Sequence, residues 1–245
     1  MNASSPVIAA AATFPYGTLT ARLEAIVADF SNAALASSLG AEDMVIADAI
    51  LSAGLPIAIF TLETGRLHRE TLDLLERVRG HYGHEIEAFG PDPDAMTRYV
   101  KEHGLNAFYE SVDLRKRCCH MRKVEPLARA LAGRDAWITG LRRAQSVTRN
   151  DLPLHEHDSV HGIPKFNPLA DWSEAEVWAC IRDRGVPYNA LHDHGYPSIG
   201  CEPCTRAIRP GEDVRAGRWW WEISNAKECG LHVSPPGKSS EGKTS

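Results

Sequence analysis

Apolar positions in the first half of the chain follow two different repeats. From Gly17 to Phe30 they recur every three or four residues, which predicts an amphipathic helix. Ala33–Ser38 and Ile57–Thr61 are short runs of mostly apolar residues, the pattern of strands buried on both faces of a parallel sheet. A helix is predicted after each run, over Met44–Leu51 and up to about His81. This alternation indicates an α/β fold.

The alternation continues farther along the chain. His84–Phe89 and Trp137–Gly140 are predicted strands, with a surface helix over Pro93–His103 between them. Another helix begins after Ser173, whose side chain we expect to cap it while Glu176 completes a capping box. The elements together predict a doubly wound, mostly parallel sheet.

Length and composition are those of an ordinary globular protein. The 245 residues suit one domain, which we assign to 17–233, between a flexible N-terminus (1–16) and a disordered polar tail (234–245). The net charge of −5 argues against a nucleic-acid partner. No apolar run is long enough for a membrane, and the run at 6–12 lacks the basic flank of a secretory signal. We therefore expect a cytoplasmic protein without a membrane partner; its oligomeric state, a homo-oligomer included, stays open.

Four of the six cysteines form two closely spaced pairs. Cys118 and Cys119 are adjacent, and Cys201 and Cys204 flank a Glu-Pro turn. Four thiolates complete either a tetrahedral zinc site or an iron–sulfur cluster. Neighbouring cysteines cannot easily both face one small ion, whereas a cubane cluster offers separate corner irons. The adjacent pair therefore favours a cluster over zinc, and unconnected buried thiols are the remaining alternative.

Polar turns follow the first two predicted strands, where the carboxyl ends of a parallel sheet place ligands. The turn at 38–43 contains Ser38 and Gly40 and leads into a helix, whose free N–H groups suit a phosphate or sulfate. A capped turn without a ligand is an equal alternative. Glu63-Thr64-Gly65 follows the second strand and is a predicted pocket wall, unless the glycine only ends the strand.

A third turn follows the strand that ends at Gly140. It carries Arg142, Arg143 and Arg149. Guanidinium groups bind phosphate-like anions through paired N–H donors, so this turn could clamp an anion. A solvated basic loop is the simpler interpretation of the turn taken alone.

In this order, the motifs resemble those of the thioredoxin-dependent assimilatory adenylyl-sulfate (APS) reductases over residues 17–233. The resemblance implies an adenine nucleotide α-hydrolase-like fold with a C-terminal extension that carries a catalytic cysteine. It implies reduction of adenosine 5′-phosphosulfate to sulfite and AMP, with thioredoxin or glutaredoxin as the reductant. The matching segments are SLGAED at 38–43, ETG at 63–65, KRCC at 116–119, RKVEPL at 122–127, GLRR at 140–143, GCEPCTR at 200–206 and KECGLH at 227–232.

The resemblance also implies roles for individual residues. Cys229 becomes the nucleophile, which forms a Cys S-sulfonate intermediate. The implied ligands of a [4Fe-4S] cluster are Cys118, Cys119, Cys201 and Cys204. The strand-end turns and the resemblance together give these candidate substrate contacts: Ser38, Gly40, Glu63, Thr64, Gly65, Lys123, Gly140, Arg149, Arg215, Arg218 and His232.

Three other functions stay open. Reduction of 3′-phospho-APS is the nearest, although relatives of that specificity commonly lack the cluster cysteines. A non-catalytic zinc module that binds nucleic acid or a partner is a second, and the negative net charge disfavours it. An ATP pyrophosphatase is a third, but the turn at 38–43 departs from that superfamily's S-G-G-x-D-S consensus.

Overall fold

The computed structural model describes residues 14–146 and 149–222. Within these residues, six strands form one sheet: β1 (Ala33–Ser37), β2 (Ala58–Leu62), β3 (Glu87–Phe89), β4 (Ala136–Ile138), β5 (His155–Asp158) and β6 (Ile163–Phe166). Their spatial order is β3-β2-β1-β4-β6-β5, and every neighbouring pair is parallel except β5 and β6. The predicted mostly parallel α/β sheet is confirmed.

Seven α-helices lie within the same described ranges. They are α1 (Tyr16–Asp29), α2 (Ala41–Ala53), α3 (Arg69–Tyr82), α4 (Pro93–His103), α5 (Val112–Cys119), α6 (Glu125–Leu131) and α7 (Glu174–Arg184). The predicted capping box is present, since Ser173 Oγ accepts the Glu176 N–H at 3.2 Å and the Glu176 carboxylate accepts the Ser173 N–H at 2.7 Å. None of the helices in this part of the chain is both long and apolar enough to cross a membrane.

Alternate residues of the central strand face two different layers. Ala33 and Leu35 pack into a core shared with α1, α2, α3 and α7. Ala34 between them packs on the other face with Leu127 and Leu131 of α6. This alternation is the period of two expected of a strand covered on both sides. The predicted double winding is therefore present.

The order in which successive strands are added to the sheet reverses beside β1. The chain leaves β1 for β2 and β3 on one side, then returns to place β4 on the other. In open α/β sheets such a switch point leaves a crevice at the carboxyl ends of the strands, where ligands bind. The turns at 38–40 and 139–142 lie at this crevice.

Two features were absent from the sequence prediction. The β5–β6 hairpin was missed because β5 reads His-Glu-His-Asp, an edge strand without an apolar repeat. The helical stretch from Val112 to Leu131 was also missed, and it contains a π-helical turn over His120–Val124. Pro126 has no N–H for the carbonyl four residues before it, which breaks the α-helical ladder at this turn. The predicted strand to Gly140 ends earlier, at Ile138.

Candidate active site

A cavity of about 780 Å³ opens at the switch point. Its size is in the range of small-molecule sites, roughly 300–1,000 Å³. Apolar walls come from Phe60 and Leu62 of β2 and Trp137 of β4. Eight residues predicted to contact substrate line it: Ser38, Gly40, Thr64, Lys123, Gly140, Arg149, Arg215 and Arg218.

One buried carboxylate, that of Asp43 in the first turn of α2, joins the turns after β1 and β4. Asp43 Oδ2 accepts the N–H and the hydroxyl of Ser38, both at 2.6 Å. Asp43 Oδ1 accepts the Gly140 N–H at 2.9 Å. A Cβ at Gly140 would overlap Asp43, so only glycine allows this approach. Burial raises the pKa of Asp43 to about 6.

The sequence prediction gave Asp43 no role of its own. Its position in the matched 38–43 motif, three residues after Gly40, was the available signal. Spacing along the chain does not show that its carboxylate also binds Gly140, which is 97 residues away.

The arginine-rich turn is mostly engaged within the protein. Arg142 Nη2 and Nε donate to Glu42 Oε1 at 2.6 and 2.9 Å. Arg143 Nε donates to the Leu152 carbonyl at 2.8 Å. Arg149 donates to Gln145 Oε1 at 2.6 Å and lines the cavity. Arg142 and Arg149 line the cavity and Arg143 does not, so the three arginines do not form one clamp.

Lys123, Arg215 and Arg218 give one part of the cavity wall a cationic character. Arg218 is buried, and its guanidinium stands 4.9 Å from the centre of the Trp219 ring. Its Nη1 donates to Ser198 Oγ and the Ile199 carbonyl at 3.3 Å each, and a Cβ at Gly200 would overlap its guanidinium group. These contacts fix the orientation of the Arg218 charge.

Glu63 and Gly65 flank the cavity without lining it. Glu63 Oε1 accepts the Gly65 N–H at 2.8 Å, which folds the side chain back on its own turn. Gly65 has a φ of 67° and lies against the Arg122 guanidinium, which also donates to the Thr64 carbonyl. This turn supports the pocket wall through Thr64.

The four cysteines of the two predicted pairs line one small pocket beside the cavity. An antiparallel bridge between Leu67 and Cys201 brings the second pair to the turn after β2. The Cys204 N–H donates to the Cys201 carbonyl at 3.0 Å and closes the knuckle. The sequence prediction that both pairs converge agrees with this placement.

Cationic side chains surround the cysteine pocket. Arg66, Arg115, Arg122 and Lys123 all line it. Burial raises the pKa of the Cys118 thiol, and it raises that of Cys204 to about 12. Bound iron or zinc would hold the sulfurs as thiolates despite this burial, and the surrounding cations offset their charge. Within 14–146 and 149–222, no three His, Cys, Asp or Glu side chains are grouped as ligands of a single metal ion.

Lys123 lines both the cavity and the cysteine pocket. It lies in the π-helical turn that begins directly after Cys119. π-bulges of this kind recur at functional sites. The turn thus places one ammonium group between the two pockets.

Two of the predicted residues, Cys229 and His232, lie outside the described residues. The nucleophile and one substrate contact therefore stay predictions from the resemblance. The same holds for the tail at 234–245 and for most of the N-terminal segment.

A mostly parallel, doubly wound α/β sheet with a cavity at its switch point and a cationic wall is typical of proteins that bind nucleotides or phosphates. The model of the phosphoadenosine phosphosulfate reductase domain matches residues 32–207. The chain belongs to this reductase family, and it is therefore an oxidoreductase.

Curated relatives match over most of their length. The adenosine 5′-phosphosulfate reductase of Burkholderia cepacia is 64% identical over 217 residues, 87% of each chain. That of Allochromatium vinosum is 60% identical over 210 residues, 86% of this chain and 82% of the relative.

Solved structures agree at the level of the fold. A phosphoadenylyl-sulfate reductase from Candida auris, solved as a phosphate complex, superposes with a TM-score of 0.66 at 30% identity, covering 80% of this chain and 91% of that one. An FMN adenylyltransferase from Candida glabrata superposes with a TM-score of 0.54 at 12% identity, covering 94% and 82%. The second likeness concerns the fold alone.

Proposed function

We propose that this protein reduces adenosine 5′-phosphosulfate to sulfite and AMP in assimilatory sulfate reduction. The observation that carries the proposal is the cavity itself, in which the paired turns at Ser38 and Gly140 adjoin the cationic wall of Lys123, Arg215 and Arg218. The curated relatives named adenosine 5′-phosphosulfate reductase support the same substrate.

The nucleotide would bind across the switch point. The turns that Asp43 holds together at Ser38 and Gly140 would form the polar part of its binding site, and the apolar walls from Phe60 and Trp137 suit its base. Its phosphosulfate would face the cationic wall. Because attack by a thiolate brings negative charge towards an anion, fixed cations lower the barrier, and each such donor is typically worth about 10²–10³ in rate.

The proposed nucleophile is Cys229. Its thiolate attacks the sulfur of the sulfate group, the S–O bond to the phosphate breaks, and AMP leaves with that oxygen. The product on the protein is Cys229–S–SO₃⁻. A thiolate of a dithiol reductant, for which we propose thioredoxin or glutaredoxin, then attacks the Cys229 sulfur and expels sulfite. The second thiol resolves the mixed disulfide, so the dithiol supplies both electrons.

We also propose that Cys118, Cys119, Cys201 and Cys204 hold a [4Fe-4S] cluster. Their convergence on one pocket ringed by cations supports this, and a cubane gives each thiolate its own iron. The cluster would tie the two cysteine segments together and adjust the electrostatics of the anion wall near Lys123. Thiol chemistry of this kind suits a reducing compartment such as the cytoplasm.

Turnover of two nucleotides tests the proposed substrate. With reduced thioredoxin under anaerobic conditions, we expect sulfite and AMP from APS, and much slower turnover of 3′-phospho-APS at the same concentration. Preference for 3′-phospho-APS would replace our proposal with the rival specificity. Absence of sulfite from both nucleotides would remove the reductase function.

The absorption spectrum and metal content test the cluster. We expect an anaerobically purified brown protein that absorbs near 400 nm, with about four iron and four sulfide per chain. Cys201→Ser should lose most of the iron, whereas Cys180→Ala, a change in the core of α7, should retain it. A colourless protein with bound zinc would contradict the cluster assignment.

A further inference from the structure

Three aromatic side chains, two of them exposed, form a ridge beside the cysteine pocket. The rings of Tyr109 and Trp221 lie 4.5 Å apart between centres, and those of Trp221 and Trp220 lie 5.7 Å apart at 90°. Tyr109 is 41% exposed and Trp220 is 49% exposed. We refer to Tyr109, Trp220 and Trp221 as the aromatic ridge.

Two members of the ridge contact the segment that carries Cys201 and Cys204 or the core around it. The Tyr109 hydroxyl donates to the Pro203 carbonyl at 2.8 Å. Trp221 packs against the core that contains Phe108, Cys201 and Cys204. Its orientation is thus built onto the cysteine knuckle, which reduces the entropy that a binding partner would have to remove.

The backbone at Trp219 has a strained conformation, and the side chain of the next residue, Trp220, is exposed. Trp219 has a φ of 42°, in the left-handed region that bulky residues avoid, and its own side chain is buried. Such strain costs on the order of 1–3 kcal/mol and clusters at functional sites. Burial of Trp219 against Arg115 and Arg218 accounts for the inward ring, but it does not account for an exposed indole at the next position.

Trp220 and Trp221 of the ridge precede Cys229 by only a few residues in the sequence. Glu222 directly follows the ridge and is fixed by a buried ion pair with Arg115 at 2.6 Å. Cys229 follows Glu222 by seven residues (222 to 229). Seven residues span at most about 25 Å, so Cys229 stays within that distance of the ridge. A protein that forms a bond with Cys229 must therefore come within about 25 Å of the ridge.

We propose that the aromatic ridge is the docking surface for the protein dithiol that reduces the Cys229 adduct. This proposal rests on the proposed function. The reductant must hold its attacking thiolate at bonding distance from Cys229 Sγ while sulfite leaves, which requires contacts that orient the two proteins. Tryptophan and tyrosine are enriched among the few residues that carry most of the binding energy at protein interfaces. A small dithiol needs no such surface.

The reductant dependence of Trp220→Ala tests the proposal. We expect KM for thioredoxin to rise by about 10-fold or more, the effect of losing a hot-spot side chain. We expect no change in sulfite release driven by dithiothreitol, nor in single-turnover formation of the S-sulfonate from APS. Tyr109→Ala should behave similarly. Val160→Ala, an exposed residue of the β5–β6 turn, is the matched control and should change none of these.

These measurements distinguish failure of the proposed docking surface from failure of the proposed function. Normal adduct formation with an unchanged KM for thioredoxin in both ridge variants would overturn the docking surface alone. A change of oligomeric state on sedimentation, with thioredoxin dependence intact, would overturn it as well and identify a contact between copies of this chain. A wild-type protein that forms no adduct would overturn the proposed function and this proposal with it.

Discussion

Replacing Cys229 by serine should abolish both sulfite release and the S-sulfonate adduct. Removing the nucleophile of a covalent mechanism lowers the rate by on the order of 10⁴–10⁶. A serine hydroxyl is almost fully protonated at neutral pH and is a much weaker nucleophile than a thiolate. We therefore expect no adduct by mass spectrometry after incubation with APS in the absence of reductant.

The five cysteines that the structure describes all lie in positions that disfavour a nucleophilic role. Four of them line the cysteine pocket, where metal binding would occupy their sulfurs. Cys180 is fully buried in the core under α7, and burial raises the pKa of its thiol to about 12. A buried neutral thiol is a poor nucleophile. The five cysteines in the described part of the chain thus have other assignments, and the family resemblance points to Cys229.

Cys180→Ala provides the control for this experiment. It removes a thiol from the core without touching the cavity, so the adduct and its mass should persist. Its cost should appear as reduced thermal stability. An adduct still present in Cys229→Ser would remove Cys229 from the role, and peptide mapping of that adduct would identify the true nucleophile.

The sequence predicted those helices and strands that show a clear pattern of apolar residues. The strands β1 and β2 consist mostly of small and branched apolar residues, a composition that predicts buried strands. The helix α4 begins and ends at the predicted residues Pro93 and His103. The hairpin of β5 and β6 carries no such signal, because its strand order and edge position come from pairing with β4 rather than from its own residues. Local pattern determines elements, while pairing determines where polar strands form.

The candidate site was predictable where a residue type alone indicates its chemistry. Paired cysteines and strand-end glycines are of this kind, and the structure brings Cys118, Cys119, Cys201 and Cys204 to one pocket. The contacts that hold the site together were not predictable. The pairing of Glu42 with Arg142 joins residues 100 apart in sequence, and only the packed sheet brings them together. The same is true of the aromatic ridge, whose members come from two separated segments.

Replacing Asp43 by asparagine should lower kcat/KM for APS by about 10²-fold, because it uncouples the turns that bind the nucleotide. The two carboxylate oxygens accept three hydrogen bonds, two from Ser38 and one from Gly140. An amide has one acceptor oxygen, so its NH₂ group would face a donor on one side. A buried donor left unsatisfied costs about 1–3 kcal/mol, and the turn on that side should shift.

The pH dependence of Asp43→Asn separates this positioning role from a general loss of stability. Burial raises the pKa of Asp43 from 3.8 to about 6, so the contribution of this group to stability is fully present below pH 3.8 and is lost as pH rises through about 6. Activity should change in the opposite direction, because only the ionised carboxylate accepts all three hydrogen bonds. Wild-type kcat/KM should therefore fall below about pH 6. Asp43→Asn should lack that fall, whereas Asp193→Asn, an exposed residue of the same cavity, should keep it. An unchanged acid limb in Asp43→Asn would show that the ionisation of Asp43 does not hold the two turns together.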